Sequence, residues 1–373
     1  MKKTVLINAF NSTAAGGRTI LVNYVRQLET SGSQYQHIIF LRDKKKFPEF
    51  DFVECCTFLE APKSLRSSAL TPVLNSIYLP WLLAHLNVDA YLNMSDVPTP
   101  TNVHQIFLFD WPYAAFRQSR AWKLLSITGY ISRKFKLFLF QRYKKFIDLL
   151  IVQTPVMKEI MEKEYKFENT TIIPNAVSLK KNLGSSFSPS EFSGHTFLCL
   201  THCYPHKNIE VLIPVANLLK ERGIKARIIT TISAEQGVGA RDWLRRIEHE
   251  NLTDVIQNVG PVKLDDVPAL YRISDFLLLP TLLESFSGTY VEAMHYERPV
   301  LTSNLPFATG VCGDAALYFD PMDPDDVLRA ITQVLSDDSL ASDLARRGLE
   351  VVERMPNWPQ VFNLFQQALT SRA

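Results

Sequence analysis

Short apolar runs and longer amphipathic stretches alternate along the chain, which predicts strands and helices in turn. This alternation is typical of βα units on parallel sheets. In the first half, strands are predicted at Thr4–Asn8, Gln36–Leu41, Ala90–Asn93, Gln105–Phe109 and Leu149–Gln153. The first helix is predicted at Gly17–Glu29, because its apolar residues recur at helical spacing on one face.

The alternation stops after Val177 and restarts near residue 194, which predicts two domains joined by a linker. The linker, 178–193, has no periodicity and is rich in serine and lysine. Beyond it, strands are predicted at Thr196–Leu200, Lys225–Thr230, Val255–Val259, Phe276–Leu279 and Val300–Thr302. Helices are predicted at Ile209–Arg222, Ala240–Glu250, Val267–Ile273, Tyr290–Tyr296 and after Pro324.

This organisation assigns residues 1–177 to an N-terminal Rossmann-like domain and 194–355 to a C-terminal one. Residues 356–373 hold a separate amphipathic helix, predicted at Trp358–Leu369, which we expect to pack back on the first domain. The predicted fold class is therefore α/β, with two parallel sheets that face a central cleft.

Composition excludes several classes of protein. The 373 residues carry 40 Lys and Arg against 38 Asp and Glu, a net charge of +2 that gives no indication of nucleic-acid binding. The apolar run at Val5–Ile7 ends at Asn8, too early for a signal peptide. The longest candidate span, Leu70–Val88, contains two prolines and a histidine. We therefore expect a cytoplasmic protein.

The sequence Cys199-x-x-His202-Cys203-x-x-His206 has the residue types of a zinc site. Cys199, however, lies inside an apolar strand, and no second pair of ligands with similar spacing follows. We therefore predict free thiols, which suit a reducing compartment, and no metal.

The segment from Pro280 to Met294 carries the most informative chemistry. A buried strand ends at Pro280, a polar loop with Gly288 follows, and a helix begins, which is where open α/β sheets bind ligands. The N–H groups at a helix start attract a diphosphate, and glycine permits close approach of the backbone. Glu284 and Glu292 suit sugar or ribose hydroxyls, but the residues alone also fit a surface helix with two solvated glutamates.

The spacing E-x7-E of Glu284 and Glu292 resembles family 4 of the retaining glycosyltransferases, the group 1 glycosyl transferases. Further matches extend the resemblance over most of the chain, weakly in the first half and strongly from about Thr196 to Pro321. They are Gly16-Gly17, Ile173-Pro174-Asn175, His206-Lys207-Asn208, Gly260-Pro261-Val262, Ala293-Met294, Arg298-Pro299-Val300, Ser303-Asn304 and Gly313 to Pro321.

The resemblance implies a GT-B architecture in which the C-terminal domain binds a nucleotide-sugar donor, with no further cofactor. It implies that Glu292 binds the ribose, Glu284 the sugar, Lys207 the diphosphate and Val262 the base. It further implies that backbone amides of the donor loop bind the distal phosphate; the loop residues are Ser285, Phe286, Ser287 and Gly288. Gly16 and Gly17 would let the first domain approach the donor.

Four places in the sequence depart from the family pattern. The donor loop reads Glu284-Ser285-Phe286-Ser287 where the family usually has Glu-Gly-Phe-Gly. His202 replaces a basic residue five positions before Lys207, and Phe109 replaces a histidine before Asp110. Asp110 is either an acceptor-orienting catalytic residue or a loop-capping carboxylate. A glutamate that often follows the Ser-Asn segment is replaced near Gly310.

The segment 117–146 contains nine Lys or Arg, no acid and six interleaved Phe, Tyr and Trp between Trp122 and Tyr143. This composition suits an anionic membrane surface, but it also fits a buried helix with its basic residues in water. The first interpretation implies a peripheral protein on the inner face of the membrane.

These observations predict a retaining glycosyltransferase that moves a sugar from a nucleotide diphosphate sugar to a saccharide or lipid-linked saccharide, in cell-surface polysaccharide or glycolipid synthesis. Two alternatives stay open. One is a nucleotide-sugar epimerase. The other is a catalytically weak sugar-nucleotide-binding subunit, which the changes at Phe109 and His202 motivate.

Overall fold

The computed structural model describes residues 2–13, 15–177 and 192–370. The chain divides into two compact units. Unit 1 comprises Met1–Arg117, Ser126–Ala176 and Pro356–Ala373, and unit 2 comprises Gln118–Leu125 and Val177–Met355. Most of the predicted linker, residues 178–191, lies outside the described residues.

Each unit contains one sheet whose strands all run parallel, which confirms the predicted α/β class. The strands of unit 1 are β1 Thr4–Asn8, β2 Gln36–Leu41, β3 Thr57–Glu60, β4 Ala90–Asn93, β5 His104–Leu108, β6 Leu149–Val152 and β7 Thr170–Ile172. Those of unit 2 are β8 His195–Cys199, β9 Ala226–Thr230, β10 Ile256–Asn258, β11 Phe276–Leu279, β12 Val300–Ser303 and β13 Ala316–Phe319.

The strands are ordered β3-β2-β1-β4-β5-β6-β7 in unit 1 and β10-β9-β8-β11-β12-β13 in unit 2. Both orders begin 3-2-1-4, the Rossmann arrangement, in which the chain winds outward in opposite directions from the first strand of the sheet. The direction reverses between β1 and β4 in unit 1 and between β8 and β11 in unit 2. Loops that leave these paired strands diverge, so each pair opens a crevice at its carboxyl end.

Helices connect the strands. The α-helices are α1 Ala15–Ser31, α2 Thr71–Val73, α3 Leu79–His85, α4 Pro112–Ala115, α5 Ile127–Tyr143, α6 Pro155–Tyr165, α7 Leu212–Glu221, α8 Val238–His249, α9 Val267–Ile273, α10 Gly288–His295, α11 Pro306–Cys312, α12 Pro324–Ser336, α13 Asp338–Arg354 and α14 Trp358–Thr370. A π-helical turn, Leu74–Tyr78, joins α2 to α3. The short 3-10 helices that bear on the site are Arg120–Leu124, Pro205–Lys207 and Ala234–Gln236.

Aspartates in the connections fix the starts of several strands. Asp89, just before β4, accepts a hydrogen bond from the backbone N–H of Thr4 at 2.7 Å. Asp148, before β6, accepts from Gln105 at 2.6 Å, and Asp275, before β11, accepts from Thr196 at 2.8 Å. Each carboxylate satisfies a donor at the end of the neighbouring strand that the ladder leaves open. The amino ends of the strands are therefore closed, and the carboxyl ends are left for loops.

The C-terminal helix α14 belongs to the core of unit 1. Phe362 and Phe365 are buried in one cluster with residues of α1 and β1. The ring of Phe362 meets Tyr24 edge-on with centroids 5.1 Å apart, and Gln366 donates a hydrogen bond to the Tyr24 hydroxyl at 2.9 Å. The helix α14 thus completes the core to which α1 and β1 also belong.

The main differences from the predicted elements are three short strands, β3, β7 and β13, that the sequence pattern did not indicate. β3 lies at an edge of its sheet and none of its side chains is fully buried, so it lacks the apolar signal on which the prediction depended. β7 is the opposite edge strand and has three residues.

A second difference concerns residues 118–125, which the sequence analysis assigned to the N-terminal domain. The structure groups Gln118–Leu125 with unit 2, whereas Arg117 and Ser126 on either side belong to unit 1. We call this segment the strap. Ala121 and Trp122 of the strap are buried, and its 3-10 helix contacts the 3-10 helix Pro205–Lys207.

Among the described residues, no helix combines the length and the apolar character that a membrane span requires.

The packing of α14 gives a prediction for stability. Phe362→Ala should lower the free energy of unfolding of unit 1 by about 3–5 kcal/mol, since it removes a buried ring that the core cannot refill. Urea unfolding followed by circular dichroism measures this change. Gln367→Ala, on the exposed face of the same helix, is the control and should change stability by less than about 0.5 kcal/mol. Equal midpoints for the two variants would contradict this role of α14.

Candidate functional site

Most of the predicted donor residues lie at the carboxyl ends of β8 and β11, where the winding of the unit 2 sheet reverses. The loop after β8 contains His202 and Lys207, and the loop after β11 contains residues 280–287. Because these two strands are adjacent and parallel, residues almost 80 positions apart in sequence meet at one edge.

Lys207 and Glu284 form an ion pair between the Lys207 Nζ and the Glu284 Oε1. Their side chains are 21% and 14% exposed, so the pair is largely withdrawn from water. The hydroxyl of Thr281 lies 3.2 Å from the same carboxylate oxygen. A partly desolvated pair of this kind is electrostatically stronger than a surface pair, and it fixes both side chains.

Backbone contacts join the same two loops. The N–H of Leu282 donates to the carbonyl of His206 at 2.7 Å, and the Thr281 hydroxyl also reaches that carbonyl at 3.2 Å. Asn208 follows at a φ of 53° and donates from its side chain to the carbonyl of Pro321 at 2.6 Å. The position of Lys207 is therefore determined by the loops on both sides of it.

The start of α10 provides backbone N–H donors beside this pair. The helix begins at Gly288, and within the described residues the hydroxyl of its N-cap, Ser287, caps none of the first N–H groups. In α12, by contrast, Asp323 accepts from the N–H of Asp325. The donors at the start of α10 and the positive end of its dipole are thus available to an anion.

Gly288 has no internal reason to be glycine. A Cβ at this position would meet only Val177, at 3.9 Å, among the described residues, which is an ordinary contact. The missing side chain therefore leaves room on the open side of the loop. Ser285 and Ser287, the two departures from the family loop, are both buried, so their hydroxyls do not fill that room from the solvent side.

Glu292 lies one turn into α10 and is held by Tyr271 of α9, whose hydroxyl donates to Glu292 Oε2 at 2.8 Å. Burial raises the pKa of Glu292, and the hydrogen bond from Tyr271 offsets part of this increase. Burial also raises the pKa of Tyr271 well above its usual value, so the phenol stays protonated and remains a donor. The pair presents an oriented carboxylate, which is an acceptor for hydroxyl groups.

His202 is oriented by Gln236. The Gln236 Oε1 accepts from the backbone N–H of Cys203 at 2.7 Å, so its Nε2 faces the His202 Nδ1 at 2.9 Å. Because the amide Nε2 can only donate, the His202 Nδ1 is the acceptor in this contact. His202 lies where the family pattern has a basic residue.

The other donor residues predicted in unit 2 lie at the same edge of the sheet. Val262 is half-buried in the loop after β10 and follows Gly260, whose φ of 73° turns the chain. Phe286 is half-buried in the loop after β11.

The predicted residues of unit 1 form a separate group. Gly16 and Gly17 lie in the first turn of α1 rather than in a loop. A Cβ on Gly16 would come within 3.9 Å of the Asp110 Oδ2, so Asp110 lies beside the start of α1. Phe109 is buried and packs on Phe140 with ring centroids 5.5 Å apart, which makes it a core residue.

The five cysteines form no disulfide in the structure. Cys199 is buried in β8, and desolvation raises the pKa of its thiol to about 12. Within residues 2–13, 15–177 and 192–370, no group of three or more His, Cys, Asp or Glu side chains is arranged to hold a metal ion.

Tyr271, Thr281 and Gln236 are site residues that the sequence reasoning did not find. Tyr271 lies 21 positions before Glu292, and Gln236 lies 33 positions after Cys203. These pairs are created by the packing of separate elements, and no spacing in the sequence indicates them. Thr281, three residues before Glu284, was inside the predicted loop but had no assigned role.

Comparison with known proteins identifies the family of this part of the chain. Residues 190–351 match the family model described as "Glycosyl transferases group 1". The chain is 24% identical over 230 residues to the mannosylfructose-phosphate synthase of Agrobacterium fabrum, which covers 57% of this chain and 50% of that protein. It is 32% identical over 145 residues to the O-antigen chain mannosyltransferase B of Escherichia coli, covering 39% and 38%. The chain thus spans half or less of the length of these curated relatives.

The fold is shared over almost the whole chain with solved structures. Sucrose-phosphate synthase from Thermosynechococcus elongatus superposes with a TM-score of 0.74 at 17% identity, covering 98% of each chain. This likeness confirms the predicted GT-B fold. The match of residues 190–351 to the family model supports the predicted resemblance of this part of the chain to the group 1 glycosyl transferases.

Proposed function

We propose that this chain is a retaining glycosyltransferase that uses a nucleoside diphosphate sugar as donor. The acceptor in this proposal is a saccharide or lipid-linked saccharide, in the synthesis of cell-surface polysaccharide or glycolipid. The observation that carries the proposal is the Lys207–Glu284 pair beside the uncapped start of α10, where a cation, backbone donors and a carboxylate converge. Retention of the anomeric configuration follows from the family resemblance.

The diphosphate would bind to Lys207 and to the backbone amides of Phe286, Ser287 and Gly288. In the reaction, the bond between the sugar C1 and the phosphate oxygen breaks and its electron pair remains on the phosphate. The acceptor oxygen bonds to C1, and its proton passes to the phosphate oxygen that leaves. Lys207 and the α10 dipole stabilise the negative charge that develops on the leaving group, with no metal ion required. His202 would add a hydrogen bond to a phosphate oxygen.

The two glutamates would bind hydroxyls at opposite ends of the donor. Glu284 has one oxygen shared by Lys207 and Thr281, and its carboxylate would accept from a hydroxyl of the sugar. Glu292, oriented by Tyr271, would accept from the ribose hydroxyls. Val262 would contact the base. In unit 1, we assign Gly16 and Gly17 to the approach of the donor and Asp110 to the orientation of the acceptor.

The sugar with most support is mannose. The two curated relatives described above are named as a mannosylfructose-phosphate synthase and a mannosyltransferase. Calorimetric titration with UDP, GDP and ADP, followed by the mannose and glucose derivatives of the nucleotide that binds, tests the donor. Binding of none of the three nucleotides would rule out the proposed donor site.

A second candidate is a nucleotide-sugar-binding subunit with little activity of its own. Phe109 supports it, because a buried phenylalanine packed on Phe140 supplies no titratable group where the family often has a histidine. Tight binding of a nucleotide sugar with no transfer or hydrolysis would favour this candidate. The epimerase alternative is not favoured by the match of residues 190–351 to a transferase family.

We further propose that the protein acts on the cytoplasmic side of a membrane, docked through α5. Several large apolar residues of this helix face solvent, namely Ile127, Tyr130, Ile131, Phe135 and Phe138. The predicted segment 117–146 includes Arg120 and Lys123 of the strap, which belong to unit 2, whereas residues 126–146 contribute six Lys and Arg and no acid. Apolar side chains that enter the interface beside basic residues fit an anionic lipid surface. The same helix buries Leu137, Leu139 and Phe140.

The ion pair gives a prediction for catalysis. Lys207→Ala should lower kcat/KM for the donor by about 10²–10³-fold, because it removes a preorganised charge and leaves Glu284 unpaired. Steady-state kinetics with the nucleotide sugar identified by calorimetry measure the loss. Lys220→Ala is the matched control, since it breaks a surface pair with Asp254 in the same unit and should leave kcat/KM unchanged. Equal activity of the two variants would refute the role of Lys207.

The raised pKa of Glu292 predicts how donor binding depends on pH. A protonated carboxyl is a poorer acceptor, so nucleotide affinity should fall as the pH drops through the pKa of Glu292, above the usual range for glutamate. Tyr271→Phe removes the bond that lowers this pKa and should move the fall to higher pH. Glu292→Gln should abolish it. Calorimetric affinities across the acidic range test this, and a profile that the Gln variant leaves unchanged would contradict it.

The exposed face of α5 gives a prediction for membrane binding. Ile131 and Phe138 are 61% and 58% exposed, and the double variant Ile131→Ser/Phe138→Ser should lower partitioning to anionic vesicles roughly tenfold or more. Co-sedimentation with phosphatidylglycerol vesicles measures it. Leu264→Ser in unit 2, where Leu264 is 71% exposed, is the control. If the double variant and the control partition as the wild type does, α5 is not the docking helix.

A further inference from the structure

The strap, Gln118–Leu125, makes a specific contact with the donor loop. Ser119 is the N-cap of its 3-10 helix, and its hydroxyl oxygen accepts from the N–H of Ala121 at 3.2 Å. The same hydroxyl donates its hydrogen to the backbone carbonyl of Leu282 at 3.0 Å. The first contact uses a lone pair of the Ser119 hydroxyl oxygen as acceptor, and the second uses the hydroxyl hydrogen as donor.

Leu282 lies two residues before Glu284, and both polar groups of its backbone are held. Its N–H donates to the carbonyl of His206, and its carbonyl accepts from Ser119. His206 directly precedes Lys207. The Ser119 bond therefore closes a chain of contacts that runs from the strap through Leu282 to both partners of the ion pair. The burial of Ala121 and Trp122 anchors the strap and keeps the hydroxyl in place.

We propose that Ser119 is a positioning residue of the donor site, which holds the loop 281–284 in the geometry that lets Lys207 and Glu284 act together. This inference rests on the proposed function for its catalytic meaning, although the positioning itself is a property of the folded chain. Ser119 touches no donor atom in this proposal. It acts by limiting the movement of the Leu282 peptide. Among the described hydrogen bonds, no residue of Val177–Met355 donates to the Leu282 carbonyl, so the strap supplies this contact.

Three substitutions separate the donor bond from the cap. Ser119→Ala removes both. Ser119→Asp keeps an acceptor for the Ala121 N–H, since aspartate is a good N-cap, but its carboxylate cannot donate to the Leu282 carbonyl. Ser119→Thr keeps both contacts, and the extended backbone of Ser119 (φ −56°, ψ 140°) suits threonine. Ser126→Ala is the matched control, because Ser126 caps α5 through Gly129 in unit 1.

The first measurement is amide hydrogen exchange in the peptide that contains residues 281–288, on the full chain without ligand. Ser119→Ala and Ser119→Asp should exchange roughly 3- to 10-fold faster there, the effect of one lost hydrogen bond, while Ser119→Thr and Ser126→Ala match the wild type. Unchanged exchange in the Asp variant would overturn the proposal, because the cap would then be the only role of Ser119. If the Ala variant fails to fold, the comparison of Asp with Thr decides the question.

The second measurement is donor kinetics. We expect the Ala and Asp variants to have a higher donor KM and a lower kcat, so that kcat/KM for the donor falls roughly 3- to 10-fold. The acceptor KM should not change, and Ser119→Thr should keep the wild-type kinetics. Wild-type kinetics in the Asp variant would overturn the catalytic part. A wild type that transfers no sugar would refute the proposed function instead, and the exchange experiment would still test the positioning.

Discussion

The ion pair between Lys207 and Glu284 is the interaction on which the candidate site depends. It joins two loops that leave adjacent strands of the unit 2 sheet and then diverge, and it does so at the point where a ligand would enter. Withdrawing both charges from water is costly unless each has partners. Here Thr281 approaches the carboxylate, and the carbonyl of His206 fixes the backbone beside the lysine. In the absence of a ligand, each charge thus serves as counter-ion for the other. In the proposed complex, Lys207 would pair with the diphosphate and Glu284 would accept a hydrogen bond from a sugar hydroxyl. Both side chains are already positioned for these interactions by the ion pair.

Beside the ion pair, the N–H groups at the start of α10 have no side-chain cap among the described residues. Among the described unit 2 α-helices with an aspartate or serine N-cap, α12 and α13 are capped by their Asp323 and Asp337 side chains, whereas α9 and α10 have no such bond. At α10 the cap is a buried serine that makes no such bond among the described residues, and the first helical residue is a glycine with space around it. A helix start without a side-chain cap and a glycine in the first turn both lower the stability of a helix.

Much of the fold could be predicted because a strongly apolar run bounded by polar residues indicates a buried strand or helix. The strands β1, β2, β4 and β11 and the helix α9 have the predicted bounds. The strands that were missed lie at sheet edges or are very short, where burial on one side is weak. For the site, the residues alone indicated an anion site with carboxylates, and the family resemblance added the identity of the ligand. Tyr271, Gln236 and Ser119 were out of reach, since their partners lie 21 to 163 positions away and only packing brings them together. The strap was assigned to the wrong unit because its composition resembles that of the helix that follows it.

The interleaving of the two units has a consequence for how the chain is made. Unit 1 lacks α14 until Trp358–Thr370 has left the ribosome, because Phe362 and Phe365 belong to its core. Unit 2 includes the strap, which leaves the ribosome long before β8 does. Neither unit is a continuous stretch that can finish folding as it emerges, in contrast to the usual order in which N-terminal domains fold first. During synthesis, the apolar face of α1 and Trp122 of the strap emerge long before the residues on which they pack. A truncated chain that ends near Met355 would lack α14 and leave this face of α1 exposed.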